Sequence, residues 1–593
     1  MFKNLFYKIT KWRLKLNSQR NFLIYCSALA GLLGGLAAVA LKFLVHFMED
    51  VSRSISAHLP FHFIYVFLPA LGILFTVIYT HLINRDKLEK GIGSILVNIK
   101  RNRSNIAANN MYAHLISSSL TVGFGGSSGL EAPIVCTGAA LGSNTGRFFK
   151  LTSYEKMVLI GAGASAGIAA VFNSPIAGVL FSLELLIGEI TTATFIPLLI
   201  ASATGVVVSK VLYSRQLFHL ATDGWVMAAL PFYILLALLC GCISVYIANV
   251  GGKLEKGILP KQNRYVRAII GGLLLGIIIL VFPPLFGEGY HDVQEILNGN
   301  IEIIANGSIF SEWLSHPLAL LGFIALLVFL KIIATGITIG SGGNGGTFAP
   351  TMFTGAFLGL FIAYGINQTG LIHLNTSNFI AAGMAGALSG VLHAPLTAIF
   401  LIAEITGGYV LFIPLMIVSA ISYIISRYFN PHNMYWHHLV HERNIRPDHD
   451  DDTLYAIPLD SVINRNFSAI SKHSSVKDFY TVLSQTQANI FPVLNDGGSL
   501  EGVVLLDEIR KQLFDTDIAG QNIADIMIAP PAVVNYGQSV TSVMALFDAN
   551  DVWQLPVVKD DKFIGFISKS TLLAKYREVF ISQHRQADPF AHY

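Results

Sequence analysis

Charge is what this chain has least of. Charged residues make up 13% of its 593, whereas apolar ones reach 53%, and the mean hydropathy is +0.58. An ordinary soluble domain carries about 25% charged residues. So few charges cannot cover the surface of a soluble protein of this length, and most of the chain is expected to lie in lipid. The net charge of +3 is nearly balanced and gives no reason to expect a nucleic-acid partner. Cysteine is scarce as well. Cys26, Cys136, Cys240 and Cys242 all sit in apolar stretches, at spacings that fit neither a disulfide framework nor a cysteine-based zinc site. No metal and no cofactor is expected. A secretory signal is also missing. Residues 1–20 instead intersperse Lys3, Lys8, Lys11, Arg13, Lys15 and Arg20 with apolar residues. That is an amphipathic segment, and the positive-inside bias places it in the cytosol.

What the chain does have is apolar length. Full-length candidate spans cover 21–46, 62–83, 193–212, 225–249, 266–286, 316–339 and 411–427. A membrane crossing needs about 20 apolar residues. Shorter apolar pieces, interrupted by glycine and proline, cover 111–124, 131–149, 155–171, 175–188, 347–365, 378–391 and 395–406. Irregular backbone at membrane depth is tolerated only inside protein or beside an aqueous cavity. The broken pieces therefore mark the expected functional centre.

An internal repeat points to the same place. Pro133 to Gly142 matches Pro350 to Gly359 at an offset of 217 residues, and both share Thr-Gly-Ala and Leu-Gly. Asn173 to Pro175 with Glu184 matches His393 to Pro395 with Glu404 at an offset of 220, with nine residues from proline to glutamate in each. Two related halves are expected to meet around a shared site near the membrane midplane. The repeat alone leaves parallel and inverted orientation open.

After residue 427 the character changes. A polar linker at 441–456, containing Arg446 to Asp452, leads into short strand-like runs that alternate with amphipathic helical ones. Phe491 to Leu494 and Leu555 to Val558 are each followed by a turn and a glycine-led strand, at Gly502 and Gly565. This tandem α/β repeat is expected to form a separate soluble part, with copies at 457–516 and 517–580 and a tail at 581–593.

Three glycine-rich breaks carry the chemistry: Lys90 to Ile95, Gly125 to Pro133 and Gly340 to Pro350. Each puts glycines just ahead of a helical run, and Pro133 and Pro350 suit a first helical turn. Helix N-termini expose unpaired N–H groups and carry about half a positive charge. Several converging in low dielectric would bind a dehydrated anion, and partial charges would still let it leave. Glu131 is the exception, a carboxylate inside the membrane and so a functional residue by default. When ionised it would take the anion's place, and when protonated it would withdraw. That makes it a gate, with helix capping as the plainer alternative.

These segments resemble the selectivity motifs of the CLC family of chloride channels and chloride–proton antiporters over about residues 20–440. Gly129, Leu130, Glu131, Ala132 and Pro133 resemble its gating-glutamate motif. Gly346, Thr347, Phe348, Ala349 and Pro350 resemble its glycine-x-phenylalanine-x-proline motif, and Tyr435 its central-site tyrosine. The resemblance implies an all-α polytopic membrane fold of two inverted repeats spanning 21–440. It also implies a homodimer with one pore per subunit, and chloride as the usual ion. The anion site would be lined by Lys90, Gly91, Ile92, Gly129, Leu130, Gly346, Thr347, Phe348, Ala349 and Tyr435. The tail resembles a CBS pair, which implies regulation and a cytosolic C-terminus. Together these imply a multi-pass protein of the cell membrane whose partners are small anions and the bilayer, not an enzyme.

Three departures qualify the transfer. Lys90 stands where the family has an anion-binding serine. It would either strengthen anion attraction or snorkel into the basic loop around Arg85, Lys87, Lys100, Arg101 and Arg103. Leu185 stands where family exchangers carry a proton-relaying glutamate, which favours a passive, gated chloride channel. Glu184 and Glu404 are then expected to make structural hydrogen bonds. Ala132 replaces a glycine. In the tail, the pattern that holds adenine nucleotide in related CBS pairs keeps Gly565 and Ser568 but puts Thr571 in the acidic position, whereas the first copy has Leu505 and Glu508. His432, His437, His438 and His441 form a cluster better suited to an interfacial helix than to a metal. The rival functions are a chloride–proton antiporter, a fluoride exporter and, from another class, an intramembrane serine protease using Ser128 in Gly126 to Gly129 with His393 as base.

Overall fold

The computed structural model describes residues 19–57, 66–86, 88–188, 191–213, 224–255, 262–305, 308–443, 457–486, 488–509 and 521–585. Most of the expected N-terminal segment and linker, and the end of the tail, fall outside these. The chain forms two compact units, Met1–Ile445 and Arg446–Tyr593.

In the first unit the helices are α1 (Gln19–Ala57), α2 (Leu68–Ile78, continued by a wide turn Tyr79–Ile83), α3 (Ile92–Arg101) and α4 (Asn110–Gly123). They are followed by α5 (Glu131–Phe148), α6 (Ser153–Phe172), α7 (Pro175–Phe181, continued by a wide turn Ser182–Ile187) and α8 (Thr192–Leu212). The second half runs α9 (Leu230–Glu255), α10 (Arg264–Val281), α11 (Tyr290–Leu297), α12 (Pro317–Gly340), α13 (Phe348–Thr369), α14 (Thr376–Leu392), α15 (Pro395–Ile405) and α16 (Phe412–Phe429), with α17 (Met434–Arg443) after it. Among the described residues eight helices are long and apolar enough to cross a membrane.

The two halves pack alike. As α5 lies on α6, α13 lies on α14. As α1 lies on α8, α9 lies on α16, and α2 meets α10, and α7 meets α15, across the divide. Close crossings repeat too: a side chain on Gly138 would collide with the carbonyl oxygen of Gly163, and one on Gly355 with that of Gly383. Two pieces that sequence marks as short and broken differ from expectation. Ser153–Phe172 and Phe348–Thr369 are unbroken helices of 20 and 22 residues, 89% and 78% buried over their most apolar stretch. Their glycines and alanines interrupt the hydropathy pattern because they serve helix–helix contact rather than chain breaks.

Reciprocity between the halves is most direct at the two short helices. Glu404 accepts hydrogen bonds from the N–H groups of Ile176 and Ala177, 3.0 Å each, at the start of α7. Glu184 accepts from Leu396 and Thr397 N–H, 3.1 and 2.8 Å, at the start of α15. Each half thus caps the other's helix, as a two-fold relation requires.

In the second unit, β1 (Ile470–Ser471), α18 (Val476–Ser484), β2 (Ile490–Leu494), β3 (Leu500–Leu505) and α19 (Leu506–Ile509) precede α20 (Ile523–Ile526). Then come β4 (Val534–Asn535), α21 (Val540–Asn550), β5 (Gln554–Lys559), β6 (Lys562–Ser568) and α22 (Lys569–Arg585). Each copy pairs a parallel strand and an antiparallel hairpin in the same order, β1-β2-β3 and β4-β5-β6. Register shifts at equivalent points, Val493/Leu494 and Val557/Val558. The second hairpin closes through Asp560 and Asp561, both with positive φ (50° and 60°), which is the tight geometry that matches strand twist.

Candidate anion pathway

Two helix N-termini are joined back to back at the centre of the first unit. Gly129 and Gly346 exchange N–H···O bonds of 2.8 Å in both directions. The chain leaves this bridge one way into α5, with Leu130 before it and Glu131 as its first residue, and the other way into α13, with Thr347 before it and Phe348 first. The loops beneath are tied by side chains. Asn344 N–H donates to Thr121 Oγ1 at 3.0 Å, and Ser127 N–H to Thr338 Oγ1 at 3.1 Å. Gly129 admits no Cβ, which would collide with Glu131 Oε2 and stand 3.0 Å from Ala349 N.

The first glycine break reaches the same place. Gly91, at φ +77°, opens α3, and Ile92 is buried. Lys90 Nζ donates to the carbonyl oxygens of Gly342 (2.7 Å) and Gly343 (3.0 Å) in the third break. Lys90 therefore does not snorkel into the basic loop; it ties two glycine breaks together. Tyr435 stands on α17, which packs on α3, and its buried hydroxyl faces Thr347. Thr347 Oγ1 lies 3.6 Å from Met434 Sδ, next in chain to Tyr435. All three glycine breaks, Ala349 and Tyr435 thus lie around one region.

Glu131 is fully buried, and one of its carboxylate oxygens accepts a hydrogen bond from the Tyr290 hydroxyl. Phe348, also fully buried, stands between the rings of Phe172 (5.8 Å) and Phe181 (6.2 Å). The arrangement combines helix-end amides, the buried Glu131 carboxylate with that of Glu288 close by, and an aromatic wall. Chemically it suits the binding and release of a small, weakly hydrated anion in competition with a side-chain carboxylate.

Sequence reasoning missed three contributors. Glu288 comes from the segment ahead of α11 and Tyr290 from its first position, and Glu288 Oε1 accepts the Leu130 N–H at 3.0 Å, one residue before Glu131. Lys331, on α12 and fully buried, holds that segment through the carbonyl of Gly287 (2.9 Å) and sits 4.7 Å from the Phe353 ring. A lysine in the apolar run 316–339 was a signal that could have been read.

Other expected positions are placed as follows. Leu185 is buried in the wide turn after α7, and neighbouring Glu184 is engaged with α15. Among the described residues Ser128 Oγ has no partner, whereas His393 Nε2 faces Ser426 at 3.5 Å; the two are not paired, which removes the geometric basis for a protease. The side chains of His437, His438 and His441 lie outside the described residues, and no metal-binding group of three occurs among the described ones. In the second unit Gly565 lies against the Asn464 carbonyl, and Ser568 accepts the Thr571 N–H at 3.0 Å and bonds its hydroxyl at 2.7 Å. Those two hydroxyls already satisfy each other at the start of α22.

Comparison with known proteins agrees with this geometry. The family model described as voltage gated chloride channel matches residues 71–427, and that of the CBS domain matches 523–578. A ClcB-like chloride channel protein of Ralstonia nicotianae is 30% identical over 357 residues, 58% of this chain and 76% of that one. Chloride channel protein CLC-f of Arabidopsis thaliana is 25% identical over 76% of this chain and 65% of its own. Among solved structures, a slow cyanobacterial Cl−/H+ antiporter aligns with a TM-score of 0.59 at 20% identity, over 72% of this chain and all of its own. A eukaryotic CLC transporter aligns at 0.59 and 18% identity over 93% of this chain and 99% of its own. The fold is the CLC fold with a C-terminal CBS pair, and this multi-pass membrane protein belongs to the voltage-gated chloride channel family of anion transporters.

Proposed function

We propose that the protein conducts chloride passively through the region between α3, α5, α13 and Tyr435, with Glu131 as its gate. Ionised, the carboxylate occupies the position offered by the N–H groups at the starts of α5 and α13, since those of Gly129, Leu130 and Gly346, expected to line the site, are already bonded within the bridge and to Glu288; protonated, it yields that position to chloride. The observation that carries passive conduction is Leu185, an apolar side chain packed in the core, with Glu184 beside it spent on the N–H groups of α15. A leucine holds no proton, so the inner half of a proton route has no carrier there. In this reading the CBS pair is cytosolic and regulates flux, both termini face the cytosol, the protein sits in the cell membrane as a homodimer, and it catalyses no covalent step.

Proton-coupled exchange is the alternative, and antiporters occur among the structural relatives. The test is the reversal potential of the reconstituted protein in opposed chloride and proton gradients. Passive conduction places it at the chloride equilibrium value, and a displacement that follows the proton gradient overturns that half of the proposal. Replacing chloride by fluoride or nitrate in the same bilayer ranks the ions, and fluoride flux exceeding chloride flux would make the chain an exporter of fluoride.

A further inference from the structure

Lys90 opens onto a cavity of about 670 Å³ whose lining includes Asp86, Gln262, Asn263, Arg264 and Arg267. Its charges do not balance. Asp86 is occupied: Arg264 Nη1 reaches both its carboxylate oxygens, at 2.9 and 2.8 Å, and His81 Nδ1 lies 2.9 Å away. The hydrogen bond from Arg264 holds the Asp86 carboxyl below the ordinary aspartate range, so it stays ionised and paired. Among the described residues Lys90 donates to the carbonyls of Gly342 and Gly343 and to no carboxylate. Arg267 Nε is buried and finds no acceptor among the described residues. Two cations therefore face one cavity with its one carboxylate, Asp86, already taken by Arg264, and their like charges favour an anion between them.

Size and donor shape narrow the anion. The volume falls within the range of about 300–1,000 Å³ typical of small-molecule sites and is far more than a halide fills. A guanidinium presents a planar fork that matches the oxygens of a phosphate, and a lysine adds a point charge. Arg264 and Arg267 stand on the first turn of α10, whose N-terminal dipole favours negative charge and whose start marks the end of a membrane-crossing helix. Phosphate groups of lipids lie at that depth.

We propose that this cavity binds a phosphate monoester or free phosphate through Arg267, Lys90 and the start of α10. Because Lys90 also holds the loop that leads into Gly346, the bound phosphate competes with that loop for the same ammonium group. The site stands whether conduction is passive or proton-coupled.

The experiment uses the full chain in nanodiscs of phosphatidylcholine, titrated with inorganic phosphate, and in parallel nanodiscs that also contain phosphatidic acid. Saturable phosphate binding, or a rise in unfolding temperature with phosphatidic acid, is expected for the unaltered chain. Response to phosphatidic acid alone assigns the site to a lipid headgroup, and response to both assigns it to phosphate at large. Arg267→Gln should weaken binding tenfold or more, and Arg267→Lys by less, with both variants eluting as single species in plain phosphatidylcholine. Equal affinity in Arg267→Gln, no response to either probe, or full displacement by equimolar chloride would each overturn the proposal.

Discussion

A carboxylate shut away from water persists only where donors reach it. At Glu131 the Tyr290 hydroxyl donates beside the backbone N–H of Ala349, and Lys331 holds the segment that leads into Tyr290 through the Gly287 carbonyl. Hydrogen bonds to charged groups contribute about 1.5–3 kcal/mol. Tyr290→Phe should therefore free the carboxylate from its resting place and raise chloride flux at neutral pH about tenfold, read from initial rates in loaded vesicles; unchanged flux would show that Tyr290 does not hold the gate. Asp86 gives a prediction of a different kind. Its pKa is lowered in the fold, first through the Arg264 hydrogen bond and then through His81. A lowered acid contributes stability above its ordinary value of about 3.9 and loses it as pH falls below that. Asp86→Asn should thus lower the unfolding temperature at pH 7, by an amount that shrinks as pH falls below about 4, as followed by thermal unfolding in detergent.

Among the elements, the shortest helices make the most telling contacts. A seven-residue helix such as α7 would be marginal alone, yet its first N–H groups are capped by Glu404 from the other half, while Glu184 does the same for α15. Glu184→Ala and Glu404→Ala should each cost about 2 kcal/mol, by the worth of charge-assisted hydrogen bonds. Both should lower the thermal unfolding midpoint, Glu184→Ala by more because Glu184 also accepts the Thr397 hydroxyl at 2.6 Å; a loss at one site alone would argue against the two-fold relation. At the α13–α14 crossing, Gly355→Ala forces a methyl group onto the Gly383 carbonyl oxygen. Overpacking of this kind costs about 1–3 kcal/mol, and the same measurement should show it. These crossings also explain a misreading. Glycine before α5 and α13 does mark a break, whereas glycine within α6 and α13 marks contact, and composition alone does not separate the two.

Across the whole molecule, legibility tracked sequence distance. The glycine-led helix starts, the carboxylate at Glu131 and the duplicated Pro-to-Glu intervals are local patterns, so the two-half membrane fold and the α/β tail could be read before any coordinates. The partners of those residues come from far along the chain. Nothing near Glu131 announces Tyr290, 159 residues away, and nothing near Leu130 announces Glu288. Lys90 was visible as an oddity, but its attachment to Gly342 and Gly343 depends on how two halves fold against each other. Pairing across the two-fold, not pattern within a segment, supplies what the sequence leaves unsaid.

The function proposed above gives that pairing one consequence above the rest: helix-end amides from both halves would offer a single place, for which the Glu131 carboxylate and the permeant ion would compete. Chloride flux of Glu131→Gln against the unaltered protein, from pH 4.5 to pH 8, puts this to the test. The unaltered protein should conduct more as acid protonates the gate, and the variant, already neutral there, should conduct at the acid level throughout. A variant whose flux still climbs with acid in step with the unaltered protein would contradict the account.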